Sequence, residues 1–245
     1  MKKIIFISLL SIFVQKDFFA QSYTIIYEKE MNQDGNNQLD KITDPAIRKQ
    51  VEAQLRKVSM FELLHKENVS TFSKKEIDEN KSDNSMSLQD EQSSNINVID
   101  MTGEGKSATL YKDLSNKSYL KSTYLFGKAF LIKDMLPTYN WELLNETKTI
   151  GNYVCQKATT TYNGKKVIAW YAPSIPLSDG PGEYYGLPGL IVELTDGGTT
   201  YNALSVKETS DVSITKPSKG KEITKAKYQQ IVEEKTDALQ QQYEN

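Results

Sequence analysis

Two residue types are nearly missing: the 245-residue chain holds one cysteine, Cys155, and one histidine, His65. A lone cysteine leaves no intrachain disulfide, and a lone histidine rules out a multi-histidine metal site. It also argues against Ser-His-Asp chemistry, since an isolated histidine is more often an ordinary turn or surface residue than a general base. No charge sign dominates: 30 Lys+Arg face 32 Asp+Glu, a net charge of −2, so nucleic acid is not an expected partner. Gly103-Glu104-Gly105 and Gly180-Pro181-Gly182 lack the following Lys-Ser/Thr of a phosphate loop. No run reaches the roughly eighteen apolar residues of a spanning helix. These absences leave no catalytic residue, no metal ligand set and no cofactor to name.

What is present begins with an export signal. Lys2 and Lys3 precede an apolar run from Ile4 to Val14, and Phe18-Phe19-Ala20 offers a cleavage point before Gln21. Eleven residues of helix reach about 16 Å, half of a bilayer core, so the run suits a secretory h-region and is too short to span. Residues 1–20 are therefore expected to be a signal peptide, with the protein periplasmic or secreted and residues 21–245 forming a single β-rich domain. Cleavage removes three lysines and one aspartate, taking the net charge to −4. Cys155, in the apolar context Tyr153-Val154-Cys155, reads as a buried inert thiol.

The remainder is strands punctuated by turns, with two helical pieces. Asp44-Pro45 caps a helix whose stripe is Ile47, Val51, Leu55 and Val58, and Thr224 caps a last helix over 224–243. A strand opens at Tyr23, and a pair flanks Lys66-Glu67-Asn68. Residues 78–95 read as a solvated loop. Eight candidate strands follow between Ala108 and Glu208. Asn163-Gly164 is the strongest turn signal, because a two-residue I′ loop needs positive φ at both positions. It predicts that Tyr162 faces Lys165, Ala158 faces Ala169, Lys157 faces Trp170 and Gln156 faces Tyr171. The fold class is thus mainly β with two peripheral helices, a curved antiparallel sheet or open half-barrel.

Between Pro173 and Leu194 the chain reads PSIPLSDGPGEYYGLPGLIVEL. Asp179 to Gly182 is a turn cluster, and Leu187-Pro188-Gly189-Leu190 carries the Pro-Gly pattern of a type II turn. The turn feeds a strand expected to place Leu190, Val192 and Leu194 on one face. Gly186-Leu187-Pro188-Gly189-Leu190-Ile191 resembles the hexapeptide that names the GLPGLI family, exported proteins found mostly in Bacteroidetes. Trp141, Glu146 to Gly151, Tyr153 to Ala158, Ala169 to Tyr171, Ile175-Pro176 and Gly180-Pro181 extend the resemblance in the same order. It implies export and a shared domain, and no substrate, because the family has no established activity.

The hexapeptide itself reads as a structural motif, a double turn locking one strand into the sheet. For ligand binding the candidates are Trp141, Trp170, Tyr171, Tyr184 and Tyr185, an aromatic set beside the turn cluster. The expected function is a non-catalytic periplasmic carrier of an apolar or amphiphilic small molecule. The alternative is an envelope interaction protein docking on an outer-membrane or exported partner. A hydrolase built on carboxylates such as Glu183 and Glu193 is a third, weaker reading.

Overall fold

The computed structural model describes residues 22–31, 45, 58–75, 108–125 and 127–244. The expected signal segment, the polar loop 78–95 and nearly all of the helix expected from Asp44 to Val58 lie outside the described residues. The described chain is mainly β: β1 (Ser22–Met31), β2 (Ser59–Lys66), β3 (Val69–Lys75), β4 (Thr109–Asp113), β5 (Ser118–Leu125), β6 (Lys128–Met135), β7 (Glu142–Ile150), β8 (Tyr153–Tyr162), β9 (Lys165–Ala172), β10 (Leu190–Asp196), β11 (Thr199–Thr209) and β12 (Lys221–Ile223). One helix follows, α1 (Lys225–Glu244).

All twelve strands join one open sheet in the order β12-β6-β5-β4-β3-β2-β1-β11-β10-β9-β8-β7. Two meanders leave β1 in opposite directions, β2 to β6 on one side and β11 back to β7 on the other. Only β12, paired with β6, runs parallel to its neighbour. The sheet curls strongly. Lys121 on β5 and Tyr162 on β8 line one cleft although eight strand spacings separate them, about 38 Å along a flat sheet.

The β8–β9 hairpin has the register that Asn163-Gly164 dictates: Tyr162↔Lys165, Ala158↔Ala169, Lys157↔Trp170 and Gln156↔Tyr171. Both turn residues hold positive φ, +50° and +74°. The strand expected from Leu190 differs in one respect. A β-bulge between Ile191 and Glu193 adds Val192 to β10, so Ile191 pairs with Tyr171 and Leu194 with Ala169. Ile191 and Leu194, not Leu190, Val192 and Leu194, therefore share the covered face.

That face carries the core by simple alternation. β1 buries Tyr23, Ile25 and Tyr27 there, β2 Phe61, Leu63 and His65, and β4 Leu110 and Lys112. Phe61 and Phe72 stack at 4.9 Å, worth about 0.5–1.5 kcal/mol beyond their burial. At the sheet's far side Thr224 caps α1 as expected, its Oγ1 accepting from the Lys227 amide at 3.2 Å. The helix docks by Tyr228 edge-on to Phe130 of β6, centroids 5.7 Å apart.

Candidate functional site

The link from β9 to β10, residues 173–189, does not arch into solvent. Its start alternates like a strand: Ile175, Leu177 and Asp179 are buried while Pro176 and Ser178 are exposed. Backbone bonds tie it down at both ends. The Leu190 amide donates to Ile175 O at 3.1 Å, and the Ile191 amide to Asp179 O at 3.0 Å. This segment is a cap laid on the covered face of the sheet.

The expected type II turn at Leu187–Leu190 is replaced by a tighter one. The Gly189 amide bonds Leu187 O at 2.9 Å across Pro188, a three-residue γ-type closure. The Leu190 amide is free to reach Ile175 because the closure uses Gly189 instead. Gly189 holds φ +154°, and a Cβ there would lie 2.3 Å from the Ala172 carbonyl oxygen. Leu187, Leu190 and Ile191 are all buried, so the hexapeptide's apolar members do fill core.

Under the cap lies a charged cluster. Asp179 is fully buried; Lys112 Nζ donates to its Oδ1 at 2.5 Å and His65 Nδ1 donates to its Oδ2 at 2.8 Å. Lys112 also donates to Gly180 O at 2.8 Å, and the Gly180 amide returns a bond to Asp179 Oδ1 at 2.8 Å. His65 Nε2 faces Glu67 O at 2.8 Å. Each ring nitrogen of His65 thus faces an oxygen acceptor, a carboxylate on one side and a backbone carbonyl on the other. Burial pushes the Asp179 carboxyl up, but the Lys112 ammonium and the His65 ring outweigh it and hold the group well below the usual carboxylate range. Tyr27 closes the cluster by donating its hydroxyl to Ile191 O at 2.5 Å.

His65 is thus neither a turn nor a surface residue: it is 3% exposed and ion-paired. The signal for this cluster was available. His65 continues Phe61-x-Leu63, Lys112 continues Leu110, and Asp179 continues Ile175-x-Leu177. Each polar residue occupies an inward position that the alternation reserves for an apolar one.

The cap divides the concavity into two clefts that share Tyr139. The wider, about 770 Å³, lies along Tyr23, Leu114, Pro176, Leu177 and Tyr185. The narrower, about 290 Å³, has Phe61, Phe72 and Tyr201 on one wall and Tyr139, Tyr162 and Tyr184 on the other. Tyr139 lies 5.0 Å from Tyr184 and 5.2 Å from Tyr162, centroid to centroid. The Tyr184 hydroxyl donates to Asp196 Oδ2 in a very short bond. Glu183 at the same cleft accepts from Lys225 of α1 at 2.8 Å.

The five aromatic candidates fall in four places. Tyr184 walls the narrow cleft. Trp141 and Tyr185 clamp the cap, with Trp141 Nε1 donating to Tyr185 O at 2.9 Å. Tyr171 is buried under the cap and donates to Gln156 Oε1 at 2.7 Å. Trp170, its neighbour in β9, points to the opposite face, where the Lys148 ammonium sits 4.4 Å and that of Lys157 5.7 Å from its ring. Phe61, Phe72, Tyr139, Tyr162 and Tyr201, five of the narrow cleft's rings, were not among the candidates. Cys155 is a buried free thiol, and burial pushes its pKa up. It is expected to resist Ellman's reagent in the native protein and to react fully in denaturant. Fast native labelling would show the site to be accessible.

A family model described as "Protein of unknown function (Porph_ging)" matches residues 161–193. The matched stretch includes Gly186–Ile191 together with β9, the cap and the bulge of β10. No curated protein matches the chain in sequence. Two solved structures titled as PNGF-II, in space groups C2 and P21, resemble it with TM-scores of 0.54 and 0.53 at 15% identity. Each match covers 87% of this chain and 33% of the other, so the chain spans about a third of the PNGF-II chain's length. The likeness is one of fold. Among the described residues no group of three or more His, Cys, Asp or Glu side chains converges as a metal site, and no helix is long and apolar enough to cross a membrane.

Proposed function

We propose that the chain is an exported, non-catalytic binding protein that holds an apolar or amphiphilic small molecule in the narrow cleft. The observation that carries this reading is the convergence of six aromatic rings, from β2, β3, β8, β11, the cap and the segment before β7, on one cavity of about 290 Å³. That volume stands at the lower end of ligand pockets, roughly 300–1,000 Å³, and suits a small aromatic molecule. The polar ends of Tyr184 and Asp196 are engaged with each other, leaving flat apolar faces toward the cavity. Export is supported by the Lys2-Lys3 and Ile4–Val14 pattern.

The test uses N-phenyl-1-naphthylamine, an uncharged fluorescent probe. Tyr201→Leu keeps apolar volume and removes a ring from the wall; about fivefold weaker binding is expected, in line with the worth of one aromatic contact. Trp170→Ala, on the opposite face, leaves binding unchanged. The reverse pattern would refute the assignment of the cleft.

A second reading, docking on another envelope protein, is favoured by the open edge of the sheet. Among the described strands β7 pairs only with β8, and its Leu143 is 54% exposed. Pull-down from envelope extract of one stoichiometric protein, with no bound small molecule, would support docking over carriage.

A further inference from the structure

We infer that the wider cleft is a second binding site, separate from the narrow one, and that it takes a short neutral oligosaccharide. Four loops converge on it. Glu67 and Asn68 come from the β2–β3 turn, Lys117 from the β4–β5 turn, Thr138 from the segment before β7 and Ser178 from the cap. These five polar side chains are exposed, and among the described residues none of them makes a hydrogen bond. The main chain beneath them is already used. The Leu114 amide donates to Asn68 O at 2.8 Å, the Leu136 amide to Lys117 O at 2.7 Å and the Gly186 amide to Ser178 O at 3.3 Å. Glu67 O meets His65 Nε2 at 2.8 Å. The first two of these bonds stitch three loops together, so the side chains stand on one fixed floor.

The lining selects the chemistry. A wholly apolar body would cover these side chains and give them nothing to bond, at a cost for each. Glu67 and Lys117 carry opposite charges, so the cleft favours neither an anion nor a cation. A peptide added as a strand needs unpaired main-chain groups, and the carbonyls of Glu67, Asn68, Lys117 and Ser178 are engaged. What fits is a neutral ligand read by side chains, dense in hydroxyls that each donate and accept. Tyrosine rings stand ready for its C–H faces. Tyr23, Tyr139 and Tyr185 line the cleft, and the last two form a corner, centroids 5.9 Å apart and planes at 74°. The cleft's volume of about 770 Å³ lies within the roughly 300–1,000 Å³ of ligand pockets. β-Linked gluco-configured sugars hold their hydroxyls equatorial and present flat C–H faces, which suits both the rings and the polar rim.

Cellotriose and triacetylchitotriose, with trialanine as the peptide comparison, test this by saturation-transfer NMR and titration on the full chain. Saturable binding of at least one trisaccharide is expected, with a Kd of about 1 mM. Asn68→Ala removes a donor and an acceptor, and Tyr185→Leu removes a ring. Each is expected to weaken binding about fivefold, with the far-ultraviolet circular dichroism unchanged. Tyr201→Leu, in the narrow cleft, leaves trisaccharide binding as it was. Three results overturn the proposal: no saturable binding of either trisaccharide, binding of trialanine in their place, or an affinity that Asn68→Ala and Tyr185→Leu leave unmoved.

Discussion

Asp179→Asn is expected to cost about 3–5 kcal/mol of folding stability, the loss seen when one partner of a buried ion pair is removed. The carboxylate is fully buried and meets two partners, the Lys112 ammonium and the His65 ring, with one oxygen each. Asparagine offers a single acceptor and turns an N–H group toward one of those donors, leaving a buried cation unpaired. Against a total stability of roughly 5–15 kcal/mol, the loss is large enough to read as a clear shift in the urea midpoint. Adding Lys112→Met to Asp179→Asn is expected to recover part of it, because the second change removes the stranded charge.

The pH dependence follows from the direction of the shift. The Asp179 pKa is depressed in the folded protein below its ordinary 3.8, so the unfolded chain takes up the proton first as pH falls. Its contribution is complete above about pH 4 and is lost as pH drops through the depressed folded value. The stability gap between parent and Asp179→Asn should therefore be wider at pH 7 than at pH 3. A gap that is constant or grows in acid would show that the carboxylate is not held ionised.

Gly189→Ala is the second large effect, about 3 kcal/mol or more, from a combination of backbone strain and overpacking. The added Cβ would stand 2.3 Å from Ala172 O, 2.7 Å from its carbonyl carbon and 2.9 Å from Pro173 Cα, all backbone atoms. None can rotate away, so either the end of β9 or the cap must move. Gly186→Ala provides the contrast. Its φ of +96° is unfavourable, but the nearest atom to an added Cβ is 3.8 Å away, and a cost of about 1–2 kcal/mol is expected. Equal costs at the two glycines, from urea unfolding followed by circular dichroism, would contradict the close-approach account of Gly189.

Local chemistry made some of this architecture legible in the sequence. The β8–β9 register follows from Asn163-Gly164, since only such residues accept two successive positive φ values. The Thr224 cap follows from its hydroxyl and the helical pattern after it. Leu187–Leu190 shows where local reading stops. A type II turn satisfies the local pattern, yet the Leu190 amide is claimed by Ile175 O, a partner fifteen residues earlier. The bulge at Val192 likewise has no mark in the apolar run Leu190-Ile191-Val192.

The site was less legible, for two different reasons. Trp170 and Tyr171 are adjacent in one strand, and alternation alone separates them onto opposite faces. The charged cluster and the cleft depend instead on curl. Asp179 meets Lys112 across 67 residues and His65 across 114, and no spacing rule encodes such pairings. What the sequence did hold was the anomaly of three ionisable side chains at inward positions, which becomes meaningful once their strands are brought under one cap.

The central claim is that the cleft beside Tyr139 carries a small apolar or amphiphilic molecule, and native mass spectrometry of the protein purified gently from its own host tests it most directly. The account predicts a discrete mass excess of small-molecule size, lost on denaturation, and reduced in Tyr201→Leu while retained in Trp170→Ala. A bare mass in the parent protein, or an adduct that survives in Tyr201→Leu and disappears in Trp170→Ala, would contradict it.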